Sequence, residues 1–319
     1  MSDEEFIRLI VKTDTLEVTV LPELGGKIAS LRYKGRGPGL DLLQAPLREY
    51  ALRTPGMAFD ESDASGFDEC LPTVSACTIA GAAGEVQVPD HGEIWQMPWA
   101  YDQRGERELR LTATGRLFPL RLERTLTVEG SALRIGYRLE NVGEVETPYV
   151  WSAHPLFAVD EGDRIVLPES VKELKVEDSA RNRLGAKGDV VTWPVAETPQ
   201  GGGVDLSRTG KLSDGVGDKV YAVAPTDGWA EIERRRRGVR VRIEFDAERT
   251  PHLESYLGLW LCYGGWPEGR ANRQQCVALE PCTAPVDSLA EALEKGWAKR
   301  LAPGQADFWR VRIAVSELL

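Results

Sequence analysis

The sequence is poor in basic charge, in histidine and in long apolar runs. Its 319 residues carry 39 Lys and Arg against 50 Asp and Glu, a formal net charge of −11, and only 3 His. Binding to a phosphate backbone needs a basic surface, so we expect no nucleic-acid partner. No apolar run approaches the ~18 residues of a membrane span. The acidic start, MSDEE, lacks the basic and apolar regions of a signal peptide, so we expect a cytoplasmic protein without a membrane segment.

Cysteine is also scarce, and its spacing carries no known motif. The five thiols are odd in number and include no Cys-x-x-Cys pair, which favours a reducing compartment. We interpret them as core residues, and we expect no metal because no ligand cluster has a recognised spacing. They are Cys70, Cys77, Cys262, Cys276 and Cys282.

Helical patterns are rare, and the dominant periodicity is two. Apolar residues alternate with polar ones from Leu120 to Val128, then again from Leu133 to Leu139 after a turn at Gly130, which predicts a hairpin. The same alternation recurs at residues 220–223, 239–245 and 309–315, and Arg234 to Arg237 are interpreted as the end of a further hairpin.

One short helix is predicted over residues 287–296, and residues 197–217 show no clear periodicity. With 32 Gly and 19 Pro between many short strands, the pattern favours a large all-β sandwich. We expect a single domain over residues 1–319.

Three side chains are candidates for chemistry. His91 and His154 precede a glycine and a proline, where we expect a strand-like run to end and the imidazole to face a cleft. Glu280 ends an apolar run just before Pro281, so a strand delivers its carboxylate to a loop rim. A histidine and a carboxylate together can move protons in both directions. The third histidine, His252, is interpreted as structural.

Five segments, in order along nearly the whole chain, resemble the aldose 1-epimerase family, the galactose mutarotase-like enzymes. They are residues 18–31 (VTVLPELGGKIASL), 90–92 (DHG), 152–157 (SAHPLF), 279–283 (LEPCT) and 301–304 (LAPG).

The resemblance implies an antiparallel β-supersandwich that opens and recloses the ring of a sugar at the anomeric carbon, with no cofactor. In that resemblance Glu280 is the general base that takes the proton of the anomeric hydroxyl. His154 is the general acid that protonates the ring oxygen, and His91 forms a hydrogen bond near that oxygen. Asp218 matches the position of an aspartate that binds sugar hydroxyls.

One departure from the family concerns the substrate. Where related enzymes carry an asparagine-arginine motif before the first histidine, this chain has Asp68 and Glu69 and no arginine. Either carboxylate can accept from sugar hydroxyls, and because strand neighbours point to opposite faces, only one is expected to face the site. Trp95, Trp151 and Trp260 are candidate platforms for the apolar face of a sugar.

Two alternatives stay open. One is a mutarotase for a phosphorylated or otherwise modified sugar, which needs cationic groups such as Arg116 or Arg121 in the cleft. The other is a carbohydrate-binding protein without turnover, although binding alone needs no acid/base pair. The identity of the sugar and the oligomeric state do not follow from the sequence.

Overall fold

The fold is built almost wholly from antiparallel strands. The computed structural model describes residues 6–35, 39–81, 84–223, 227–246 and 256–318, and His252 lies outside these ranges. Within them the helical elements are one α-helix, α1 (Leu289–Glu294), and short 3-10 turns at Phe59–Glu61, Ile94–Gln96, Ala180–Asn182, Leu212–Asp214 and Arg235–Arg237.

The strands of the described residues are, in chain order, β1 (Leu9–Lys12), β2 (Leu16–Leu21), β3 (Lys27–Tyr33), β4 (Leu40–Asp41), β5 (Phe67–Cys70), β6 (Cys77–Gly81), β7 (Gly84–Val88), β8 (Ala100–Arg104), β9 (Glu108–Thr114), β10 (Leu120–Glu129), β11 (Ala132–Asn141), β12 (Thr147–Tyr149), β13 (Ser152–Ala158), β14 (Arg164–Val166), β15 (Glu173–Ser179), β16 (Val190–Thr192), β17 (Val195–Glu197), β18 (Gly203–Asp205), β19 (Val216–Ala222), β20 (Trp229–Arg234), β21 (Val239–Asp246), β22 (Tyr256–Tyr263), β23 (Gln275–Cys282), β24 (Lys299–Leu301) and β25 (Ala306–Glu317).

Two large sheets hold most of these strands. The first has eleven strands in the order β1-β2-β3-β5-β13-β23-β22-β19-β15-β16, with β4 beside β3. The second has eight, in the order β14-β20-β21-β25-β11-β10-β9-β8. Three two-stranded pairs, β12 with β24, β17 with β18 and β6 with β7, complete the described strands. The all-β sandwich predicted from the alternation is confirmed.

The hairpins predicted from alternating apolar and polar residues are present in the structure. β10 and β11 form the expected hairpin with Glu129 paired to Ala132, and the cluster Arg235–Arg237 caps the hairpin of β20 and β21. The predicted helix is α1, whose first turn is capped by the Ser288 side chain accepting from the Glu291 amide. The aperiodic stretch 197–217 holds the short β18 and one 3-10 turn.

A continuous apolar core, with members from Leu9 to Val315, lies between the sheets. In β10 buried and half-buried residues alternate, because one face packs on the core and the other faces solvent. The central strands β13, β19 and β23 are instead buried on almost every residue. Their second face is covered by loops, and the cavity that holds the candidate site lies there.

Within the described parts of the chain, no helix has the length and apolar character needed to cross a membrane.

Candidate active site

Two neighbouring central strands place His154 opposite Glu280. β13 pairs with β23 at Ser152↔Cys282 and at Leu156↔Ala278, so the residues midway between these pairs face each other. The side chains therefore leave the same face of the sheet. His154 does not end its strand as expected, because β13 continues to Ala158. Pro155 lacks an amide hydrogen, and the ladder between β13 and β23 is interrupted at this position.

The carboxylate of Glu280 is buried, and its two oxygens differ. Oε2 accepts from Lys219 Nζ and, at 3.4 Å, from Ser152 Oγ. Oε1 has no hydrogen-bond partner among the described residues and lies 3.9 Å from His154 Nε2. Burial raises the pKa of Glu280, while the Lys219 ammonium opposes the rise. Oε1 is therefore the oxygen open to a ligand.

His154 is nearly enclosed by aromatic rings. The edges of Phe59 and His91 meet it at ring-centroid distances of 5.1 and 5.0 Å. Burial, together with the cationic groups at His91, Lys219 and Lys27, holds the pKa of His154 well below its usual value of 6.5. Its Nδ1 has no partner among the described residues. The protonated form of this ring is therefore a stronger acid than a free imidazolium.

His91 lies in a tight turn and is oriented by its neighbour. Its backbone φ is +57°, and a Cβ on Gly92 would lie 1.9 Å from the Leu71 carbonyl oxygen, so only glycine fits there. Nδ1 lies 2.9 Å from Asp90 Oδ1, and the ring stacks on Phe59 at 4.2 Å. Although burial opposes it, the contact with His91 lowers the pKa of Asp90. An ionised Asp90 only accepts, so Nδ1 carries the hydrogen and Nε2 is left for a ligand.

These groups line a cavity of about 370 Å³, which is a volume suited to a small ligand. The lining contains five carboxylates and one lysine, together with two histidines, three aromatic rings, a valine and a glutamine. The members are Phe59, Asp60, Val74, Asp90, His91, His154, Asp178, Lys219, Trp260, Trp266, Gln274, Glu280 and Asp287. Among the described residues, no group of three or more His, Cys, Asp and Glu side chains is placed to hold a metal ion.

Solved structures resemble this architecture over nearly its whole length. A galactose mutarotase related enzyme from Lactobacillus acidophilus superposes with a TM-score of 0.69 at 11% identity, covering 98% of each chain. A galactose mutarotase-like protein from Lactobacillus casei gives 0.67 at 15% identity, covering 97% of this chain and 100% of that one. A GalM/aldose epimerase homologue from C. elegans gives 0.65 at 12% identity, covering 98% and 100%.

The chain has the galactose mutarotase-like fold. At these identities the likeness shows the fold alone. No protein-family model matches the chain, and no curated protein matches it by sequence.

In this galactose mutarotase-like fold, Asp68 and Glu69 lie on opposite faces of the sheet, and Asp68 shares the face of His154. Asp68 is directly opposite His154 across β5 and β13, but its carboxylate is buried between Lys27, at 2.5 Å, and Arg53, at 3.0 Å. Glu69 points to the other face of the strand. Neither residue lines the cavity, contrary to our expectation, because their charges are already paired inside the protein.

The partners of Glu69 show that its face of the eleven-stranded sheet contacts the eight-stranded sheet. Its carboxylate accepts from Arg124, Tyr137 and Trp151 at 2.8 to 2.9 Å. Arg124 belongs to β10 and Tyr137 to β11, both in the eight-stranded sheet. The Glu69 face therefore looks between the sheets, and the cavity lies on the outer face.

The other three predicted binding residues are also buried and do not line the cavity. Trp151 packs in the core against Tyr137 at 5.1 Å, as well as donating to Glu69. Trp95 is fully buried, where it supports the site by donating to the Asp90 carbonyl oxygen at 2.8 Å. Asp218 is fully buried and accepts from Ser179 at 2.7 Å and from Arg183 at 2.9 Å. Of the predicted platforms, Trp260 alone lines the cavity.

The sequence analysis missed Lys219, which lies next to the predicted Asp218. A signal was present: in the run Val216–Ala222 the apolar Val220 and Ala222 share the parity of Asp218, which assigns that side to the core. Lys219 and Tyr221 have the opposite parity and face the cavity side. The remaining missed lining residues, Phe59, Asp60, Val74, Asp178, Trp266, Gln274 and Asp287, come mostly from loops whose meeting point no local pattern reveals.

Proposed function

We propose that this protein is an aldose 1-epimerase, which interconverts the α and β anomers of a sugar. The observation that carries the proposal is the cavity-facing pair of Glu280 Oε1 and His154 Nε2, 3.9 Å apart on adjacent strands. A carboxylate and an imidazole on one face provide a base and an acid for the same substrate. The fold shared with galactose mutarotase-like proteins supports the same function.

The proposed reaction moves two protons in opposite directions. Glu280 Oε1 takes the proton of the anomeric hydroxyl, the oxygen's electron pair forms the aldehyde, and the bond from the anomeric carbon to the ring oxygen breaks. His154 gives its proton to the departing ring oxygen, and the hydroxyl formed there donates to His91 Nε2. After rotation of the aldehyde, the two groups reverse roles and close the ring on the other face. No net proton is consumed, so the pair returns to its starting state.

The protonation states suit such an exchange. Burial raises the pKa of Glu280 and lowers that of His154, so both shifts oppose the usual preference of a proton for the imidazole over the carboxylate. The single proton that the cycle needs belongs to the pair as a unit.

The cavity favours a neutral sugar. Trp260 and Trp266, with ring centroids 6.4 Å apart, offer apolar faces for the C–H groups of a pyranose, and the carboxylates accept from hydroxyls. The arginines suggested for a phosphorylated substrate lie elsewhere, because Arg121 pairs with Glu140 and Arg116 borders a neighbouring cavity. Our proposed substrate is therefore an uncharged aldose.

The deciding experiment is anomeric exchange measured by NMR over a panel of aldoses, with the uncatalysed rate subtracted. Catalysed exchange that disappears in Glu280→Gln supports the epimerase. Saturable binding of a sugar with no exchange above the blank would instead favour a carbohydrate-binding protein.

Three further features belong to the same proposal. The chain forms one domain over residues 1–319, works without a cofactor, and resides in the cytoplasm. All five cysteines are free thiols, which supports a reducing compartment.

A further inference from the structure

Lys219 on β19 reaches the candidate base on β23 across the intervening strand β22. In the sheet order β19-β22-β23, Tyr221 pairs with Gly258 and Gly258 pairs with Glu280. A Cβ on Gly258 would lie 3.4 Å from Glu280 Cβ and 2.9 Å from the Tyr221 ring. Gly258 therefore leaves room for the Tyr221 ring beside Glu280, while Lys219, two residues earlier on the same face of β19, places its ammonium group on Glu280.

The contact is an enclosed ion pair. Nζ of Lys219 donates to Glu280 Oε2 and lies 3.6 Å from Asp287 Oδ1, and the exposed fractions of the Lys219 and Glu280 side chains are 7% and 0%. Burial disfavours the ammonium form, but the two carboxylates outweigh it and raise the pKa of Lys219. The lysine is therefore a permanent cation at any pH where the protein works.

We propose that Lys219 is a positioning residue for the reaction: it holds Oε2 of Glu280 so that Oε1 alone is presented to the sugar, and it keeps that carboxylate ionised. The inference rests on the proposed function for its catalytic meaning. None of the segments that resemble the aldose 1-epimerase family contains this lysine.

Two opposing effects act on the Glu280 carboxylate. A buried carboxyl group without a cation becomes protonated near neutrality, and a protonated Glu280 cannot accept the anomeric proton. An opposite charge in contact lowers a carboxyl pKa by about 1 to 3 units. Removing the cation should therefore raise the pH at which Glu280 ionises by a similar amount.

Other ionisable groups face Glu280 from the surrounding elements and stay in place when Lys219 is replaced. They are His154 on β13, Cys70 on β5, Tyr221 on β19, Cys282 on β23, His91 in its turn and Asp287 in the loop after β23. Asp287 is a second carboxylate without its cation in the variant, so it adds to the upward shift.

The test compares Lys219→Met, Lys219→Arg and the control Lys175→Met with the unmodified protein. Lys175 is half-buried on the adjacent β15 and donates to the Pro285 carbonyl oxygen rather than to Glu280. The first readout is the ionisation of Glu280, followed by NMR of protein with ¹³C-labelled glutamate carboxyl groups, the signal being assigned by its loss in Glu280→Gln. The second readout is the pH profile of anomeric exchange.

We expect the Glu280 titration to move up by about 1 to 3 pH units in Lys219→Met, with the acid limb of the rate profile moving with it. Lys219→Arg should restore most of the shift, and Lys175→Met should show none. A Glu280 titration unchanged in a folded Lys219→Met protein would overturn the inference. If Lys219→Met fails to fold, the Lys219→Arg variant, which keeps the positive charge, is the test. A shift of about 1 to 3 pH units in its Glu280 titration and in the acid limb of its rate profile would overturn the inference as well.

The two proposals fail separately. An unmodified protein without exchange on any sugar would refute the epimerase, while the carboxyl titration still decides whether Lys219 controls Glu280. If the enzyme is active but the Glu280 titration does not change when Lys219 is replaced, only the positioning role is refuted.

Discussion

Glu280 Oε1 and His154 Nε2 lie 3.9 Å apart across two neighbouring antiparallel strands, with neither proline that follows them disturbing the approach. The anomeric hydroxyl and the ring oxygen of a sugar are bonded to the same carbon, so one bound sugar can contact both groups at once. The arrangement places base and acid on the regular part of the fold, which is more precise than a site built on loops.

The first prediction concerns this pair. Glu280→Gln and His154→Ala should each lower catalysed anomeric exchange by about 10²- to 10⁴-fold, the usual contribution of a general acid or base. Exchange spectroscopy on the preferred sugar gives the rate, and thermal unfolding shows that each variant is folded. Rates within a few-fold of the original enzyme would remove these residues from the mechanism.

The second prediction concerns His91, which assists rather than transfers the proton. His91→Ala should cost less than His154→Ala, because water can replace part of a hydrogen bond. Asp90→Asn removes the acceptor that fixes the ring, so we expect a smaller loss of kcat/KM in the same direction. Steady-state exchange rates for the three variants check the order. A His91→Ala enzyme slower than His154→Ala would exchange the proposed roles.

The third prediction is the pH dependence of the rate. His154 must be protonated to donate, and its pKa lies well below 6.5, so the donor is lost as pH rises through that lower value. Glu280 must be ionised, and its pKa lies above 4.5, so the base is lost as pH falls through that value. The kcat/KM profile should therefore be bell-shaped, with two limbs that belong to the Glu280–His154 pair as a unit. A profile without either limb would show that this pair does not exchange the protons.

The fourth prediction is substrate charge. Like charges about 4 Å apart repel by roughly 4 kcal/mol at an effective dielectric of about 20, before salt screening. Neutral glucose or galactose should therefore exchange faster than the corresponding 6-phosphate at equal concentration. Asp178→Asn removes an exposed carboxylate of the lining, so it should reduce the difference in exchange rate between the neutral sugar and its 6-phosphate. A clear preference of the unmodified enzyme for the phosphates would favour the modified-sugar alternative.

The fifth prediction concerns the buried charge cluster of Asp68, Lys27 and Arg53. Asp68→Asn leaves Lys27 and Arg53 with one fewer counter-charge in a dry interior, and breaking such a cluster costs about 3 to 5 kcal/mol of unfolding free energy. Chemical denaturation measures the change. Asp102→Asn, which breaks an exposed pair with Arg104, is the matched control and should leave the denaturation midpoint unchanged. A midpoint for Asp68→Asn equal to that of the control would contradict the structural role of the cluster.

Local pattern was sufficient for much of the fold. Alternation along β10, β11, β21 and β25 predicted strands because each has one face on the core and one on solvent. The same reasoning misplaced the end of β13 at His154. A strand that is buried on both faces shows no alternation of apolar and polar residues. Pro155 lies within β13, at a position where its ladder with β23 is interrupted.

The sequence by itself determined the all-β class and the three residues His91, His154 and Glu280 that the structure brings to one cavity. Only the tertiary structure decided which charged side chains lie next to one another around them. Asp68 is neutralised by Lys27, 41 positions away, and Glu280 is held by Lys219, 61 positions away. Strand periodicity assigns a side chain to one of two faces, but the partner it meets there depends on which strands lie side by side, and that pairing is a property of the folded sheet.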